Sequence, residues 1–247
     1  MTERENIQTL ILAGGLGTRL SKILSDRPKP MAPVAGRPFL EYLILQLRGH
    51  GFTDIVLCIG YLGDQVRAYF DDGSDWGVYI LYSHEPEPLG TGGAIKIAAE
   101  LVEEENFLVM NGDSFLDIDL HELVNYHLKK RALATMALVE VEDPARYGAV
   151  EIDENGELEN FAEKGESSKS KLINGGIYVF NRKIFDYIPR GKVSLEKEVF
   201  PKLIGKGFYG RPVKGFFIDI GVPEDYKWLQ ENPQALLRVL ENMGGRC

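Results

Sequence analysis

Short apolar runs alternate with amphipathic stretches along the first part of the chain. The apolar runs have the length of buried strands, and we predict strands at Thr9–Ala13, Ile55–Gly60, Tyr79–Ser83, Phe107–Asn111 and Thr135–Val141. The amphipathic stretches between them predict helices at Pro38–Arg48, Asp64–Phe70, Gly92–Glu104 and Leu120–Lys130. Strands that alternate with helices of this length indicate βαβ units and a mostly parallel sheet.

The pattern changes after about residue 145. Asn155-Gly156 predicts a hairpin with a two-residue turn, and residues 174–180 predict a further strand. Helices are expected near Arg182–Tyr187 and Leu195–Leu203, the second with Ser194 as N-cap and with Lys197 and Glu198 exposed. Two short strands within residues 208–221 and a helical tail from Pro223 to about Glu241 complete the pattern. Since no Pro/Gly/Ser-rich linker interrupts the chain, we predict a single domain over residues 1–247.

The composition is that of an ordinary globular protein. Of the 247 residues, 44% are hydrophobic and 26% are charged, which is enough for a core and argues against disorder. No apolar run approaches the roughly 18 residues of a membrane span, and the N-terminal MTERENIQ lacks the apolar segment of a secretory signal. Cys58 and Cys247 have no metal-binding or redox spacing, and Cys58 is expected to be buried. These features predict a soluble cytoplasmic protein.

The charge is unevenly distributed. The net charge is −9, with 28 basic and 37 acidic residues, which argues against nucleic acid or an anionic membrane as the partner. One segment nevertheless has five cations against the single acid Asp26: Arg19, Lys22, Arg27, Lys29 and Arg37. This basic segment favours a small polyanion as ligand, with a solvated loop as the alternative.

A glycine-rich segment, LAGGLGTRL at residues 12–20, follows the first predicted strand. It lacks the G-x-x-x-x-G-K-[ST] pattern of a P-loop, and Leu20 stands where the dinucleotide fingerprint needs its third glycine. Backbone N–H groups of such a loop can approach phosphate or base closely, and Arg19 can supply a bidentate charge. The alternative is a tight strand-to-loop connection that uses glycine for its conformational freedom.

The segment LAGGLGTRL and several later segments together resemble the sugar-1-phosphate nucleotidylyltransferases. These segments occur in family order over nearly the whole chain: PKPMAPVAGRPFLEY (28–42), EPLGTGGAI (87–95), NGDSF (111–115), AEKG (162–165), NGGIYVF (174–180), SLEKEVFP (194–201) and FIDIGVPEDY (217–226). The resemblance implies an α/β protein with a Rossmann-like three-layer αβα nucleotidyltransferase fold and a mostly parallel mixed sheet. It implies transfer of a nucleotidyl group from an NTP to a sugar 1-phosphate, with release of pyrophosphate. Residues 1–145 would then bind the nucleotide, and residues 146–247 the sugar phosphate.

The resemblance also implies roles for individual residues. Arg19 and Lys29 would be catalytic, acting on the triphosphate, and Asp113 and Asp219 would bind Mg²⁺. The nucleotide would contact Leu12, Ala13, Gly14, Gly15, Gly17, Thr18, Glu85, Gly90, Thr91 and Gly112. The sugar phosphate would contact Gly148, Glu163, Lys164 and Asn174. The alternatives are that the two aspartates cap turns and that Lys164 is a solvated lysine. Gly165 stands where the family often has proline, which puts only the rigidity of that turn in doubt.

Two glutamates near the end of the third predicted strand bear on the choice of base. A carboxylate only accepts hydrogen bonds, and guanine presents N1–H and N2–H₂ as adjacent donors. We therefore expect Glu85, which is nearer the strand than Glu87, to bind guanine, so that GTP is the donor. The alternative is that both glutamates point into water and that backbone groups contact the base.

Within the family, EPLGTGGAIK and SDRPKPMAPVAGRPFLEYL resemble most the D-glycero-α-D-manno-heptose 1-phosphate guanylyltransferases. The next candidates are mannose-1-phosphate guanylyltransferases and glucose-1-phosphate thymidylyl- or uridylyltransferases. A homodimer is usual among such relatives. A different class, a non-catalytic regulatory subunit that binds nucleotide sugars, is opposed by the presence of Arg19, Lys29, Asp113 and Asp219.

Overall fold

The computed structural model describes residues 7–15, 26–144, 147–162 and 170–244. The strands are β1 (Thr9–Leu12), β2 (Pro33–Val34), β3 (Arg37–Pro38), β4 (Asp54–Ile59), β5 (Tyr79–His84), β6 (Asn106–Asn111), β7 (Ser114–Leu116), β8 (Ala134–Glu140), β9 (Ala149–Ile152), β10 (Leu158–Ala162), β11 (Leu172–Asn181), β12 (Phe208–Val213) and β13 (Phe217–Asp219). The α-helices are α1 (Phe39–Gly49), α2 (Gly63–Phe70), α3 (Gly90–Ala98), α4 (Leu120–Lys130), α5 (Phe200–Leu203), α6 (Pro223–Glu231) and α7 (Gln234–Gly244).

In the described residues, nine strands form one sheet. Its main path runs β10-β9-β11-β6-β1-β4-β5, and β8 joins it by pairing with both β11 and β12. Strands β6, β1, β4 and β5 are parallel, whereas β11 runs antiparallel to β6, β8 and β9. The sheet is therefore mixed and draws strands from both halves of the chain, and the predicted α/β fold is confirmed.

Two hydrophobic clusters cover the two faces of this sheet. Alternate residues of each central strand enter opposite clusters, as Leu10 and Ile11 do on β1, because successive strand residues point to opposite faces. One cluster packs α1, α2, α4, α6 and α7 against the sheet, and the other packs α3 and α5. This arrangement explains why the strand sequences are continuously apolar rather than alternating. Cys58 is buried in the second cluster, as expected.

Two predicted helices end differently in the structure. Helix α3 stops at Ala98 rather than Glu104: the Leu101 N–H donates to the Ala98 carbonyl three residues back, and the Glu103 N–H donates to Gln8 Oε1. In a longer helix the Glu103 N–H would instead have donated to the Ala99 carbonyl. The helical tail is broken between α6 and α7 at Asn232-Pro233, since proline disfavours helical geometry in the residue before it.

The hairpin between β9 and β10 has a longer turn than the predicted two residues. Asp153 N–H donates to the Glu157 carbonyl, which leaves a three-residue loop with Gly156 at a φ of +83°. The Asp153 carboxylate accepts from the N–H groups of Asn155 and Glu157 and so favours the wider turn. These bonds hold the pKa of Asp153 below its usual value.

The segment after Ser194 begins as predicted but not as a regular α-helix. The Ser194 hydroxyl accepts from the Lys197 N–H, which confirms the N-cap, and Lys197 and Glu198 are exposed. A π-helical turn, Leu195–Val199, then precedes α5. No helix in the described ranges is both long and apolar enough to cross a membrane.

His127 is a buried histidine that joins α4 to the sheet. Its ring contacts Thr135 Oγ1 at 2.9 Å through Nδ1 and Asn106 Oδ1 at 3.2 Å through Nε2. The amide oxygen of Asn106 requires Nε2 to carry the proton, so the Thr135 hydroxyl donates to Nδ1 of a neutral ring. Burial lowers the pKa of His127 from 6.5 to about 4.

We expect His127 to make the stability of the fold dependent on pH. Because its pKa is lower in the folded than in the unfolded chain, the unfolded chain binds more protons between pH 4 and 6.5. The contribution of neutral His127 to the free energy of unfolding is complete above pH 6.5 and is lost as the pH falls towards 4. Its upper limit is about 3 kcal/mol. In urea denaturation, the gap in unfolding free energy between the native protein and His127→Gln should therefore narrow as the pH is lowered.

The matched control is His84→Gln, which alters an exposed histidine at the end of β5. The unfolding free energy of this variant should depend on pH as that of the native protein does. A native and a His127→Gln profile that run parallel from pH 7 to 4 would contradict the expectation.

Candidate active site

A cavity of about 540 Å³ lies at the carboxyl ends of the central strands. Nine residues predicted from the sequence line it together: Leu12, Gly14, Gly15, Lys29, Glu85, Gly90, Thr91, Asp113 and Asp219. Six further lining residues were not predicted: Pro30, Pro88, Ala94, Asn111, Lys192 and Glu196. In open parallel sheets, this edge is where ligands bind.

Close backbone contacts shape one wall of this cavity. The Gly112 N–H donates to the Leu12 carbonyl, and the Ala13 N–H donates to the Cys58 carbonyl. The backbone hydrogen bonds between neighbouring strands therefore continue beyond the strand ends. A Cβ on Gly112 would lie 2.6 Å from the Leu12 oxygen, which is too close for any side chain. A Cβ on Gly14 would collide with Glu85 Oε1. Gly14 and Gly112 are therefore required by packing, and this backbone remains open to a ligand.

Glu85 is held in the wall rather than exposed to water. Its side chain is buried, its Oε2 accepts from the Leu89 N–H at 3.0 Å, and its backbone N–H donates to the Ile59 carbonyl. Burial raises the pKa of Glu85, and the bond from Leu89 opposes that shift. The neighbouring Glu87 is exposed. The alternative that both glutamates point into water is therefore wrong for Glu85.

Lys29 lies between the two aspartates that were expected to bind metal. It begins the 3₁₀ helix Lys29–Met31, and its Nζ is 2.5 Å from Asp113 Oδ2. Strand β13 pairs with β7, so that Asp219 lies opposite Ser114, next to Asp113. Asp219 Oδ1 accepts from the Gly221 N–H at 2.6 Å, and a Cβ on Gly221 would collide with Lys29 Nζ. One cation and two carboxylates thus share a small space.

Glu196, which the sequence did not single out, is anchored on the opposite wall. Its Oε2 accepts from Thr91 Oγ1 at 2.9 Å and from Ser194 Oγ at 2.7 Å. Thr91 Oγ1 in turn accepts from the Leu195 N–H. Thr91 and Glu196 are too distant in sequence for local spacing to reveal this contact. Only the tertiary fold places them together.

Asn111 provides an unsatisfied acceptor at the cavity. Its Oδ1 is buried and has no hydrogen-bond partner among the described residues. Buried polar atoms are normally paired, and this oxygen is one of six buried side-chain atoms in the described residues that have no partner. Its position, immediately before Gly112-Asp113 in NGDSF, is a signal that sequence reasoning could have used.

Two of the four residues expected to contact the sugar phosphate, Gly148 and Asn174, lie together on the second half of the sheet. The Asn174 N–H approaches the Gly148 carbonyl at 3.4 Å, and the Asn174 side chain donates to the Tyr178 hydroxyl at 2.7 Å. Burial raises the pKa of Tyr178. Gly148 and Asn174 do not line the cavity described above. Five predicted residues lie outside the described residues: Gly17, Thr18, Arg19, Glu163 and Lys164.

The fold and this site are those of a nucleotide-transferring enzyme, and comparison with known proteins agrees. The family model described as "Nucleotidyl transferase" matches residues 8–233. The chain belongs to the nucleotidyl transferase family. The resemblance to sugar-1-phosphate nucleotidylyltransferases inferred from its motifs is thereby confirmed.

Individual relatives and solved structures are similar to this chain over most of its length. A D-glycero-α-D-manno-heptose 1-phosphate guanylyltransferase from Campylobacter jejuni is 43% identical over 89% of this chain and 97% of its own. A mannose-1-phosphate guanylyltransferase from Mycobacterium tuberculosis is 40% identical over 89% of this chain, but this chain spans only 62% of its length. Among solved structures, HddC from Yersinia pseudotuberculosis has a TM-score of 0.82 at 37% identity, covering 92% of this chain and 99% of that one. A second HddC structure, complexed with GMP-PN, has a TM-score of 0.81 at 36% identity, over the same shares of the two chains.

The two neighbouring glycines of the first loop should respond differently to substitution. Gly14→Ala places a methyl group against the Glu85 carboxylate and 3.1 Å from the Gly60 nitrogen, so we expect a loss of about 1–3 kcal/mol of stability. A Cβ on Gly15 meets nothing within 4 Å, and Gly15→Ala is the matched control. Chemical denaturation of both variants tests this expectation. Equal stability of the two would show that Glu85 does not approach Gly14 as closely as described.

Proposed function

We propose that the protein transfers GMP from GTP to a sugar 1-phosphate, with D-glycero-α-D-manno-heptose 1-phosphate as the favoured acceptor. The observation that carries the proposal is the cavity in which the glycine-rich backbone, Glu85, Lys29, Asp113 and Asp219 meet. The named guanylyltransferase relatives and the HddC complex with GMP-PN support the choice of donor. The products would be GDP-sugar and pyrophosphate.

The chemistry needs no general base. A sugar phosphate has a second pKa near 6, so at neutral pH it is largely a dianion. One of its phosphate oxygens would attack the α-phosphorus of GTP, and the bond from that phosphorus to the bridging oxygen of the β-phosphate would break. The electron pair leaves with pyrophosphate. The protein must therefore bring two polyanions together and offset the charge that develops.

The charged groups of the cavity suit that task. Lys29, paired with Asp113, is positioned to turn its ammonium towards a bound triphosphate. Arg19, expected to hold the β- and γ-phosphates, would add to this charge. Gly90 and Thr91 at the start of α3 line the same cavity, whereas the N–H groups of Gly92 and Gly93 already donate to the Val193 carbonyl.

Asp113 and Asp219 fit a magnesium site formed jointly with the substrates. Mg²⁺ is usually held by one or two carboxylates together with phosphate oxygens and waters. Bound there, Mg²⁺ would offset negative charge on the transferred phosphate. The pairing of Lys29 with Asp113 implies that Lys29 exchanges its carboxylate partner for phosphate when GTP and the ion bind.

Glu85 would select the base. Its Oε2 already accepts from Leu89, but each carboxylate oxygen has two lone pairs, so both oxygens can still receive the N1–H and N2–H₂ of guanine. Uracil presents one N–H between two carbonyl oxygens, which a carboxylate would face unfavourably. The bond from Leu89 holds the carboxylate in place before the nucleotide arrives.

The proposed donor and acceptor are tested by measuring activity with every combination of nucleotide and sugar 1-phosphate. Purified protein is assayed for pyrophosphate release with GTP, UTP and dTTP against heptose, mannose and glucose 1-phosphates. We expect the highest kcat/KM for GTP with heptose 1-phosphate. Mannose 1-phosphate is the second candidate, because a relative named for that acceptor is 40% identical. Absence of turnover in every combination would favour a non-catalytic binding role.

Glu85→Gln should lower the preference for GTP over UTP. Replacing the carboxylate by an amide removes one charge-assisted acceptor for guanine, which should cost about 1.5–3 kcal/mol in kcat/KM for GTP. The matched control is Glu87→Gln, which makes the same change at an exposed position two residues away. A GTP:UTP ratio that is unchanged in Glu85→Gln would remove this residue from base selection.

Asp113→Asn and Asp219→Asn should each abolish most of the activity while preserving the fold. If both carboxylates bind one ion, the double variant should be little worse than either single variant, because residues that act as a unit are not additive. The measurements are kcat/KM over a range of Mg²⁺ concentrations and the thermal unfolding midpoint. Losses that simply multiply would count against a shared ion.

A further inference from the structure

A cavity of about 380 Å³ lies at the edge of the sheet opposite to the candidate active site. Asn106 and Asn181 line it, at the start of β6 and the end of β11, where these two residues are paired. The candidate active site is lined instead by Asn111, at the other end of β6. Since each strand residue rises about 3.3 Å, the two ends of β6 are about 16 Å apart. The two cavities have no described lining residue in common.

Three cationic side chains make this a basic cavity. Arg131 lies at the end of α4, Lys183 lies two residues after β11, and Lys206 lies between α5 and β12. Glu105 is the one acid among the described residues of the lining, which therefore has a net charge of +2 in a chain whose net charge is −9. A cleft lined mainly by charges of one sign concentrates ions of the opposite sign. The basic cavity therefore favours an anion.

The three cations are accessible to a ligand. All three residues are exposed, and none is paired with a carboxylate in the described part of the chain. Lys206 Nζ lies over the Tyr187 ring, 5.1 Å from its centroid. Glu105 Oε1 accepts from the Asn181 side chain at 3.3 Å rather than from any of the cations. The carboxylate in the lining therefore does not neutralise them by direct contact.

Arg131 has a backbone conformation in which glycine is usual. Its φ of +49° is left-handed, and a Cβ is crowded by the following carbonyl oxygen in this region. Helices that end in this conformation commonly do so at glycine or asparagine. Residues that retain such a conformation against the local preference are concentrated at ligand sites and other functional positions. The arginine charge thus lies where the backbone alone would favour another residue.

The remaining lining suits a small phosphorylated molecule. Leu128, Ala132 and Leu133 provide apolar surface beside the cations, and a volume of 380 Å³ is within the range of small-molecule pockets. The carbonyls of His127 and Leu128 near the end of α4 already accept from the N–H groups of Ala132 and Arg131, so they do not face an anion unpaired. Arginine can bind a phosphate with two parallel hydrogen bonds, and lysine binds it as a point charge.

We propose that the basic cavity binds the phosphate groups of a small phosphorylated molecule through Arg131, Lys183 and Lys206. This binding site is separate from the one at which nucleotidyl transfer is proposed, and it does not depend on which nucleotide or sugar is the substrate. Inorganic pyrophosphate and GDP are suitable probes, because both carry two linked phosphates and only GDP has a nucleoside that could contact the apolar surface.

Two histidines report on the two cavities separately. His127 lines the basic cavity, whereas His84 directly precedes Glu85 of the candidate active site. Their ring-proton NMR signals, assigned with His127→Gln and His84→Gln, are followed while pyrophosphate or GDP is added without Mg²⁺. We expect a saturable shift of the His127 signal, with a midpoint that rises as NaCl is added because salt screens the charges. Shifts confined to His84 with both probes would overturn the proposal.

Removing single charges from the lining should weaken this binding. Arg131→Asn removes the charge and suits the backbone, because asparagine tolerates the left-handed region. We expect it to raise the midpoint of the His127 shift roughly three- to tenfold without lowering the thermal unfolding midpoint. Lys206→Gln should raise the midpoint of the shift by a similar factor, and Arg131→Lys, which keeps the charge, should raise it less than Arg131→Asn does.

Lys129→Gln is the matched control, because it removes one positive charge from an exposed position on α4 that does not line the basic cavity. Its midpoint should equal that of the native protein. Native midpoints in both Arg131→Asn and Lys206→Gln would overturn the proposal even if the His127 signal shifts. An equal rise in Lys129→Gln would also overturn it, because the effect would then reflect net charge rather than this cavity.

Discussion

The structure depends on the close approach of strand ends at one edge of the central sheet. Strand β1 lies between β4 and β6, and their backbones stay in contact beyond the last strand residues. A Cβ on Gly60 would lie 2.9 Å from the Gly14 carbonyl oxygen, and one on Gly112 would lie 2.6 Å from the Leu12 oxygen. Side chains at these positions would separate the strands, so glycine is required there by packing.

The same constraint produces the candidate site. Where the strands end, side chains no longer cover the backbone. The residues that follow these strands line a single cavity. Two buried helix-and-sheet layers support this edge from both sides, so charged groups such as Lys29 and Asp113 lie on a rigid base. Rigid placement matters for phosphoryl transfer, because catalysis there relies on positioning and charge more than on covalent chemistry.

The second half of the chain completes the sheet rather than forming a separate layer. Strand β11 pairs with β6, β8 and β9 and so connects Asn174, near one end of β11, to the strand that carries Asn111. Strand β13 brings Asp219 beside Asp113 through its pairing with β7. The residues proposed to bind the donor and the acceptor are thus connected through the backbone hydrogen bonds of paired strands.

Sequence periodicity was sufficient to predict the helices and strands that are determined by nearby residues. Helix α4 has the predicted bounds, the central strands agree to within a residue at each end, and Ser194 caps its helix as expected. Among the elements that differ, only α3 involves a distant partner, because the Glu103 N–H donates to Gln8 Oε1. The Pro233 break and the wider Asp153–Glu157 turn have local causes: a proline that interrupts the helix and an aspartate side chain that binds the turn's N–H groups.

For the site, the motifs were sufficient to name most of the residues that line the cavity. They could not show that Glu85 is buried and bound to Leu89, that Lys29 pairs with Asp113, or that Glu196 is fixed by Thr91 and Ser194. Hydrogen-bond partners far apart in sequence are chosen by how the strands and helices pack, and no local pattern encodes that choice. The sequence by itself therefore determined the residue types and the class of chemistry, whereas only the tertiary structure decided which groups face one another.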